Sequence, residues 1–149
     1  MAHYNASLDT PRSPVEMFAY LSDFSTTAEW DPGVIEAERL GEEPVREGTE
    51  FRLLASFLGR KTPLTYRIVE YHPPSAVTFR GESPTVVSLD RITFEPSNGG
   101  TRITYDADLA LKGARKLADP LLRVAFKRVG ARALAGLRST LEEGRDQKG

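Results

Sequence analysis

Cysteine is absent from the 149 residues of this sequence. That absence excludes disulfide bonds, cysteine-ligated zinc, iron–sulfur clusters and thiol nucleophiles. Histidine is scarce as well, since only His3 and His72 occur and they lie far apart in the chain. A histidine-rich metal site is therefore not expected, neither histidine is a strong candidate for catalysis, and we expect neither a metal nor a cofactor.

Long apolar runs and targeting signals are also missing. The longest apolar stretches, such as residues 53–58, are too short to span a bilayer. The N-terminus lacks the basic and apolar segments of a secretory signal, so we expect a cytoplasmic protein. A net charge of −1 with 28% charged residues points neither to disorder nor to nucleic-acid binding. The length is typical of one domain, which we place at residues 1–149.

The familiar catalytic motifs are absent from the sequence. No serine lies in a Gly-x-Ser-x-Gly turn, and no glycine-rich loop has the spacing that binds phosphate. Asp106 and Asp108 are a pair of carboxylates, but alternation puts them on the polar side of a predicted strand. They are therefore not expected to share a proton inside a pocket.

The N-terminal segment predicts a strand followed by two short helices. Residues 3–9 alternate between apolar and polar side chains, which is typical of a strand. The run from Ser13 to Glu16 is a capping box with Pro14 at the first helical position. Residues 26–29 repeat the capping-box pattern and predict a very short helix that reaches Trp30.

The middle of the chain is rich in β-forming residues separated by turn clusters. It predicts strands near residues 34–40, 49–58, 62–71, 76–81, 86–95 and 101–111. Asn98, Gly99 and Gly100 supply the positive backbone angles that a tight hairpin needs. The last strand alternates most clearly, so one face of the sheet is expected to be buried and the other exposed to water.

The last quarter of the chain predicts a long amphipathic helix. Asp119 and Pro120 begin it, and it continues to about residue 144, so that its roughly 25 residues would reach about 37 Å. Its apolar stripe consists of Leu122, Phe126, Val129, Ala133, Leu137 and Leu141. Residues 112–118 are predicted to form a lead-in turn or a short separate helix.

The near-zero net charge is a cancellation between two parts of the chain. Residues 112–149 carry ten basic and four acidic side chains, a net +6, and the remainder carries −7. The basic residues opposite the apolar stripe are Lys127, Arg128, Arg132 and Arg138. This face either is simply solvated and balanced by the acidic sheet, or makes weak contact with an anionic membrane or an acidic partner.

Several sequence pieces occur in the order and spacing of a known superfamily. They are residues 13–23 at the first helix, Glu29 to Val34 after the second, Gly48 to Phe51 opening a strand, and Phe94 to Pro96 before residues 99–105. From about His3 to Glu143 the chain resembles the START-like (SRPBCC) superfamily, and within it the bacterial polyketide cyclase/dehydrase and lipid-transport group. The resemblance implies an α+β helix-grip (Bet v 1-like) fold, in which a seven-stranded antiparallel curved sheet wraps around a long C-terminal helix, with two short helices after the first strand.

The same resemblance implies a cavity between the sheet and the long helix. We expect it to bind a hydrophobic or amphipathic small molecule that is lipid-, polyketide- or quinone-like, with the protein acting as carrier or sensor. The alternative is a polyketide aromatase/cyclase or dehydratase, in which Tyr66, Tyr105 or a helix arginine polarises a carbonyl. Binding ranks first because the sequence shows no convincing acid/base pair. A third hypothesis is a partner-binding protein that uses the basic helix, and the chain is expected to be a monomer or a homodimer.

Strand alternation and the helix stripe supply candidates for the cavity wall. They are Trp30, Phe51, Leu53, Tyr66, Phe79, Leu89, Tyr105, Leu109 and Phe126. Each could instead belong to a filled core, and Trp30 could anchor the short helices rather than contact a ligand. The glycines of the long helix, Gly130 and Gly136, fit either close helix packing or space for a ligand.

Overall fold

The fold is described here from a computed structural model that covers residues 2–57, 59–112 and 119–148. The N-terminal part contains β1 (Ala2–Thr10), α1 (Pro14–Ser22), a 3₁₀ turn (Phe24–Thr26) and α2 (Thr27–Trp30). The strands β2 (Val34–Leu40), β3 (Glu50–Phe57), β4 (Arg60–His72), β5 (Ala76–Glu82), β6 (Val86–Ser97) and β7 (Gly100–Leu111) follow, and α3 (Asp119–Lys148) comes last. Of the predicted lead-in to α3, residues 113–118 lie outside the described part of the chain.

The strands form one antiparallel sheet in the order β1-β7-β6-β5-β4-β3-β2. This confirms the predicted seven-stranded antiparallel sheet, and each predicted strand is present within about two residues of its expected ends. The β6–β7 hairpin turns at Asn98 and Gly99, whose φ angles are 49° and 81°. The prediction is correct for these two residues, because asparagine and glycine tolerate that region best. Gly100, which was expected to share it, has no positive φ and begins β7.

Both short helices form as predicted, and a side-chain N-cap is present at α1 but not at α2. Glu16 donates its backbone N–H to Ser13 Oγ at 3.2 Å, as the motif predicts. At α2 the Thr26 side chain does not cap the helix. Its hydroxyl donates instead to the Tyr20 carbonyl and accepts a hydrogen bond from Trp30 Nε1 at 3.3 Å. The 3₁₀ turn that leads into α2 makes a separate N-cap unnecessary, because it already supplies a backbone hydrogen-bond acceptor.

The apolar stripe of α3 faces the sheet as predicted. Phe126, Leu137 and Leu141 are buried and Val129 and Ala133 are half-buried, whereas the side chain of Leu122 lies outside the described part. The helix packs mainly against β1 and α2. Across the part of the chain that the structure describes, no helix is both long and apolar enough to cross a membrane.

A cavity between sheet and helix as the candidate functional site

A cavity of about 120 Å³ lies where α3 crosses the inner face of the sheet. Its walls come from the 3₁₀ turn and α2, from strands β1 to β4, β6 and β7, and from α3. The expected residues on these walls are Trp30, Leu53, Tyr66, Tyr105, Leu109 and Phe126. The helix therefore roofs a space that the strands enclose from the other side.

Phe51 and Phe79 do not reach the cavity, which corrects the expectation for both. They are fully buried beneath Phe24 of the 3₁₀ turn. The Phe24 ring stacks on Phe79 with centroids 4.0 Å apart and meets Phe51 edge-on at 6.3 Å. Phe24 itself lines the cavity, whereas neither of these two rings does. Strand alternation could not reveal this, because the Phe24 ring comes from a distant turn.

Leu89 lies on the opposite side of the sheet, which corrects another expectation. It is 44% exposed, whereas Val86, Ser88, Asp90, Ile92 and Phe94 of the same strand are buried. Because side chains alternate along a strand, a residue one position away from a buried one faces water. Counting back from Ile92 and Phe94 would have placed Asp90 inside and Leu89 outside.

Asp90 is the main site residue that the sequence analysis missed. It is 6% exposed and lies on the cavity wall. Ser88 Oγ donates to its Oδ1 at 2.5 Å, and the Tyr105 hydroxyl donates to its Oδ2 at 2.6 Å. Tyr105 reaches Asp90 diagonally across the β6–β7 pair, in which it stands opposite Ile92. The hydrogen-bond partner of the Tyr105 hydroxyl is thus a carboxylate.

Asp31 brings a second carboxyl group to the cavity wall. Its Oδ1 accepts the Gly33 backbone N–H at 2.8 Å, an arrangement that follows from the Asp-Pro-Gly turn after α2. Asp31 and Asp90 lie far apart in the sequence, so only the folded chain shows that they line the same cavity.

Burial sets the electrostatics of this polar cluster. It raises the pKa of Asp31 to about 6, opposed by the Gly33 hydrogen bond and assisted by the charge of Asp90. It also raises the pKa of Asp90, against the hydrogen bonds from Ser88 and Tyr105. The pKa values of the Tyr66 and Tyr105 phenols are raised for the same reason, so both stay protonated at neutral pH.

Two glycines make room for the aromatic walls. A Cβ at Gly81 would come within 2.5 Å of the Tyr66 ring, which lies over this position on the neighbouring strand. A Cβ at Gly130 of α3 would come within 2.6 Å of the Tyr4 ring. Gly136 does not line the cavity, and a Cβ there would lie 2.0 Å from the Trp30 carbonyl oxygen. Close packing therefore explains Gly136, and Gly130 serves both packing and the cavity.

The remaining candidate groups are two carboxylates outside the cavity and Trp30 on its wall. Asp106 and Asp108 are on the outer face, as expected, where His3 Nδ1 lies 2.6 Å from Asp108 and His3 Nε2 lies 2.9 Å from Asp106. Trp30 both lines the cavity and packs under α3. Among the described residues there is no group of three or more histidine or acidic side chains that could hold a metal ion. The site can therefore offer apolar contact, phenolic donors and two carboxyl groups.

Comparison with known proteins gives one matching family over most of the chain. The family described as polyketide cyclase/dehydrase and lipid transport matches residues 1–142. An uncharacterized protein of Mycobacterium tuberculosis, Rv1546, is 29% identical over 133 residues, which are 87% of this chain and 89% of that protein.

Solved structures with the same architecture share little sequence with this chain. A START superfamily protein from Mycobacterium smegmatis aligns over 100% of both chains, with a TM-score of 0.76 and 16% identity. The ZhuI aromatase/cyclase from Streptomyces sp. R1128 aligns over 99% of this chain and 95% of that one, with a TM-score of 0.76 and 17% identity. The likeness shows the START-like helix-grip fold.

Proposed function

Because this chain belongs to the polyketide cyclase/dehydrase and lipid transport family, we propose that its cavity binds a hydrophobic or amphipathic small molecule. The observation that carries the proposal is the composition of the cavity wall. It is mostly aliphatic and aromatic, and its hydrogen-bonding groups converge around Asp90. Sites for small molecules combine an apolar wall with a few placed polar groups in this way.

The volume of the cavity limits what it holds. It measures about 120 Å³, and a dry protein cavity of roughly 150 Å³ holds one benzene molecule. The cavity therefore accepts about one ring, such as the head of a quinone or one ring of a polyketide. A longer lipid-like ligand would have to extend beyond this space or displace α3 from the sheet. The same proposal includes three further points. The protein acts as a carrier or sensor, it works in the cytoplasm, and it consists of a single domain.

Binding of phenol tests this function. Trp30 is the only tryptophan and lines the cavity, so saturable binding should change its fluorescence. Ala107→Leu places three extra carbon atoms in the cavity. We expect it to weaken phenol binding by at least about tenfold, because the larger side chain fills most of the space. Ala110→Leu is the matched control, because it makes the same change on the same strand but does not line the cavity.

The phenol test has clear negative outcomes. Circular dichroism and thermal melting verify that both variants fold. Absence of saturable binding to the unmodified protein, or equal weakening by both substitutions, contradicts the proposed site.

A second candidate function is the dehydration or cyclisation of a polyketide-like chain. The carboxyl groups of Asp31 and Asp90, with their raised pKa values, favour it. One carboxylate would remove a proton next to a carbonyl while a protonated carboxyl gives its proton to the departing β-hydroxyl, so that a C=C bond forms and water leaves. Conversion of 4-hydroxy-4-phenylbutan-2-one to its conjugated enone, followed by absorbance, tests this. No turnover above that of Asp90→Asn would exclude it for this probe.

The outer face of α3 supports a proposal about partners. Lys127, Arg128, Arg132 and Arg138 are exposed there, with the small side chains of Ala131 and Ala135 between them. Among the described residues, none of these four basic side chains forms an ion pair. We propose that this face makes weak contact with an anionic membrane surface, and an acidic protein partner is the alternative.

A further inference from the structure

The charged groups on the cavity wall are all of one sign. Asp31 and Asp90 line it, and no lysine, arginine or histidine does so among the described residues. The ion pairs of the described part lie near the surface, as in Arg91 with Glu70 and Arg80 with Glu82, and none of them includes Asp31 or Asp90. The cavity therefore holds acidic groups without a countercharge from the described part of the chain.

The hydrogen bonds of Asp90 fit its ionised form. Both of its oxygens accept a hydroxyl hydrogen, from Ser88 at 2.5 Å and from Tyr105 at 2.6 Å. Lengths of this order are typical of hydroxyl groups that donate to a carboxylate. Two hydroxyl donors hold the carboxylate in place but do not neutralise it. A buried carboxylate without a cationic partner is costly, and a positive group beside it would offset that cost.

The rest of the wall also favours a positive group with an apolar body. Trp30, Tyr66 and Tyr105 line the same cavity as Asp90 and Asp31. Aromatic faces attract ammonium groups, most strongly where water is excluded. The aliphatic part of the wall, including Leu53 and Leu109, suits a hydrocarbon body. A metal ion is a poorer fit, because the described residues contain no cluster of ligands for one.

We propose that the cavity selects an organic amine, with the ammonium group at Asp90 and Asp31 and an apolar body of about one ring among the aromatic walls. This inference rests on the proposed binding function and names the chemical class of its ligand. It differs from a general apolar site, because a neutral ring of the same size would bind less tightly.

Benzylamine and benzyl alcohol form a matched pair for the test. They have nearly the same size, and at neutral pH only the amine carries a positive charge. We expect the intact protein to bind benzylamine at least about tenfold more tightly than benzyl alcohol in calorimetric or Trp30 fluorescence titrations, since a hydrogen bond to a charged group is worth that much or more. Asp90→Asn should remove this preference, so that the ratio of the two affinities falls to within about threefold of one.

Two further variants keep the test decisive. Asp106→Asn is the control, because it removes the same charge from the outer face of the neighbouring strand, and it should leave the preference intact. If Asp90→Asn fails to fold, Asp31→Asn serves in its place and should also reduce the preference. The side-chain carbonyl oxygen of the introduced asparagine can still accept the Gly33 N–H, which preserves the turn.

The outcomes separate the inference from the proposed function. Equal affinity for benzylamine and benzyl alcohol overturns the amine inference while the cavity remains a binding site. A preference for the amine that survives both Asp90→Asn and Asp31→Asn overturns it as well. Failure to bind either compound, together with failure to bind phenol, contradicts the binding function itself.

Discussion

Asp31 and Asp90 belong to no recognisable sequence motif, and their raised pKa values come from their surroundings in the fold. Each is an ordinary aspartate in the sequence, one in a turn and one in a strand. Burial changes both, because taking a carboxylate out of water penalises its charged form and raises its pKa. Tyr105 gains its role from its surroundings too, since its hydroxyl donates to a carboxylate on the neighbouring strand.

Replacing Asp31 with asparagine should change the pH dependence of stability. The pKa of Asp31 rises from 3.8 in the unfolded chain to about 6 in the fold. Its contribution is therefore fully present below pH 4 and is lost as the pH rises through 6. Relative to Asp31→Asn, the natural protein should lose on the order of 2–3 kcal/mol of unfolding free energy between pH 4 and pH 7.

Urea denaturation at a series of pH values measures this difference. Glu95→Gln, on the exposed face of β6, is the control. Asp23→Asn would not serve, because Asp23 accepts hydrogen bonds from Ser25 at the 3₁₀ turn. If the unfolding free energies of the natural protein and of Asp31→Asn change with pH in the same way, the burial of this carboxyl group is contradicted.

At the scale of elements, α3 is both the roof of the cavity and the main partner of β1 and α2. Its two faces differ sharply, since the inner face carries Phe126, Ala133 and Leu137 and the outer face carries arginine and lysine. The period of about 3.6 residues that separates these faces was readable in the sequence. The place where the helix touches α2 was not, because it depends on the absence of a side chain at Gly136.

Glycine-to-alanine substitutions in α3 should reveal this contact. Alanine is favoured over glycine inside a helix by about 1 kcal/mol, so an open site would be stabilised. At Gly136 the new Cβ would lie 2.0 Å from the Trp30 carbonyl oxygen. We expect Gly136→Ala to lower the unfolding free energy by roughly 1–3 kcal/mol, because backbone cannot move aside as a side chain can.

Gly130→Ala provides the comparison within the same helix. Its Cβ would meet Cγ and both Cδ atoms of the half-buried Tyr4 ring. This side chain can move aside by a change about its Cα–Cβ bond, whereas the backbone at Trp30 cannot, so the loss of stability should be smaller. Chemical denaturation of both variants measures which substitution lowers the unfolding free energy more. A stabilising effect of Gly136→Ala would show that α3 does not pack on α2 as described.

At the scale of the whole molecule, the charge is divided between an acidic sheet region and a basic helix. Residues 112–149 carry a net +6 against −7 for the rest. Such a charge distribution orients the protein in an electric field, so that α3 would approach a negative surface first. Because the inner face of α3 lines the cavity, contact at its outer face would act on the roof of the binding site.

Vesicle binding tests the membrane proposal. We expect co-sedimentation with phosphatidylserine vesicles that weakens at high salt, since each basic side chain near such a surface contributes about 1 kcal/mol. The double variant Arg128→Glu with Arg132→Glu should weaken it by at least about tenfold. Arg52→Glu with Arg67→Glu, on the exposed face of the sheet, is the matched control. Equal binding to neutral phosphatidylcholine vesicles, or equal loss in both double variants, would contradict the proposal.

Prediction from the sequence succeeded where a single element carries the signal. The strands, the β6–β7 turn and the amphipathic α3 depend on local periodicity and turn chemistry, so they were readable along the chain. Leu89 was the exception within a strand, because its neighbours Ser88 and Asp90 are polar and obscure the alternation. Phe51 and Phe79 were placed correctly inside the fold, but their distance from the cavity was not predictable.

The sequence by itself determined the order of strands and helices, the absence of thiol chemistry and the opposite charges of sheet and helix. These properties follow from composition and from patterns that repeat within a few residues, whereas the helix-grip architecture was implied by the resemblance to the START-like superfamily. Only the tertiary structure decided that Phe24 packs on Phe51 and Phe79, and that Asp31, Asp90 and Tyr105 meet at one cavity. The physical reason is that burial, pKa and hydrogen bonding depend on neighbours that antiparallel pairing and helix packing bring together from distant parts of the chain.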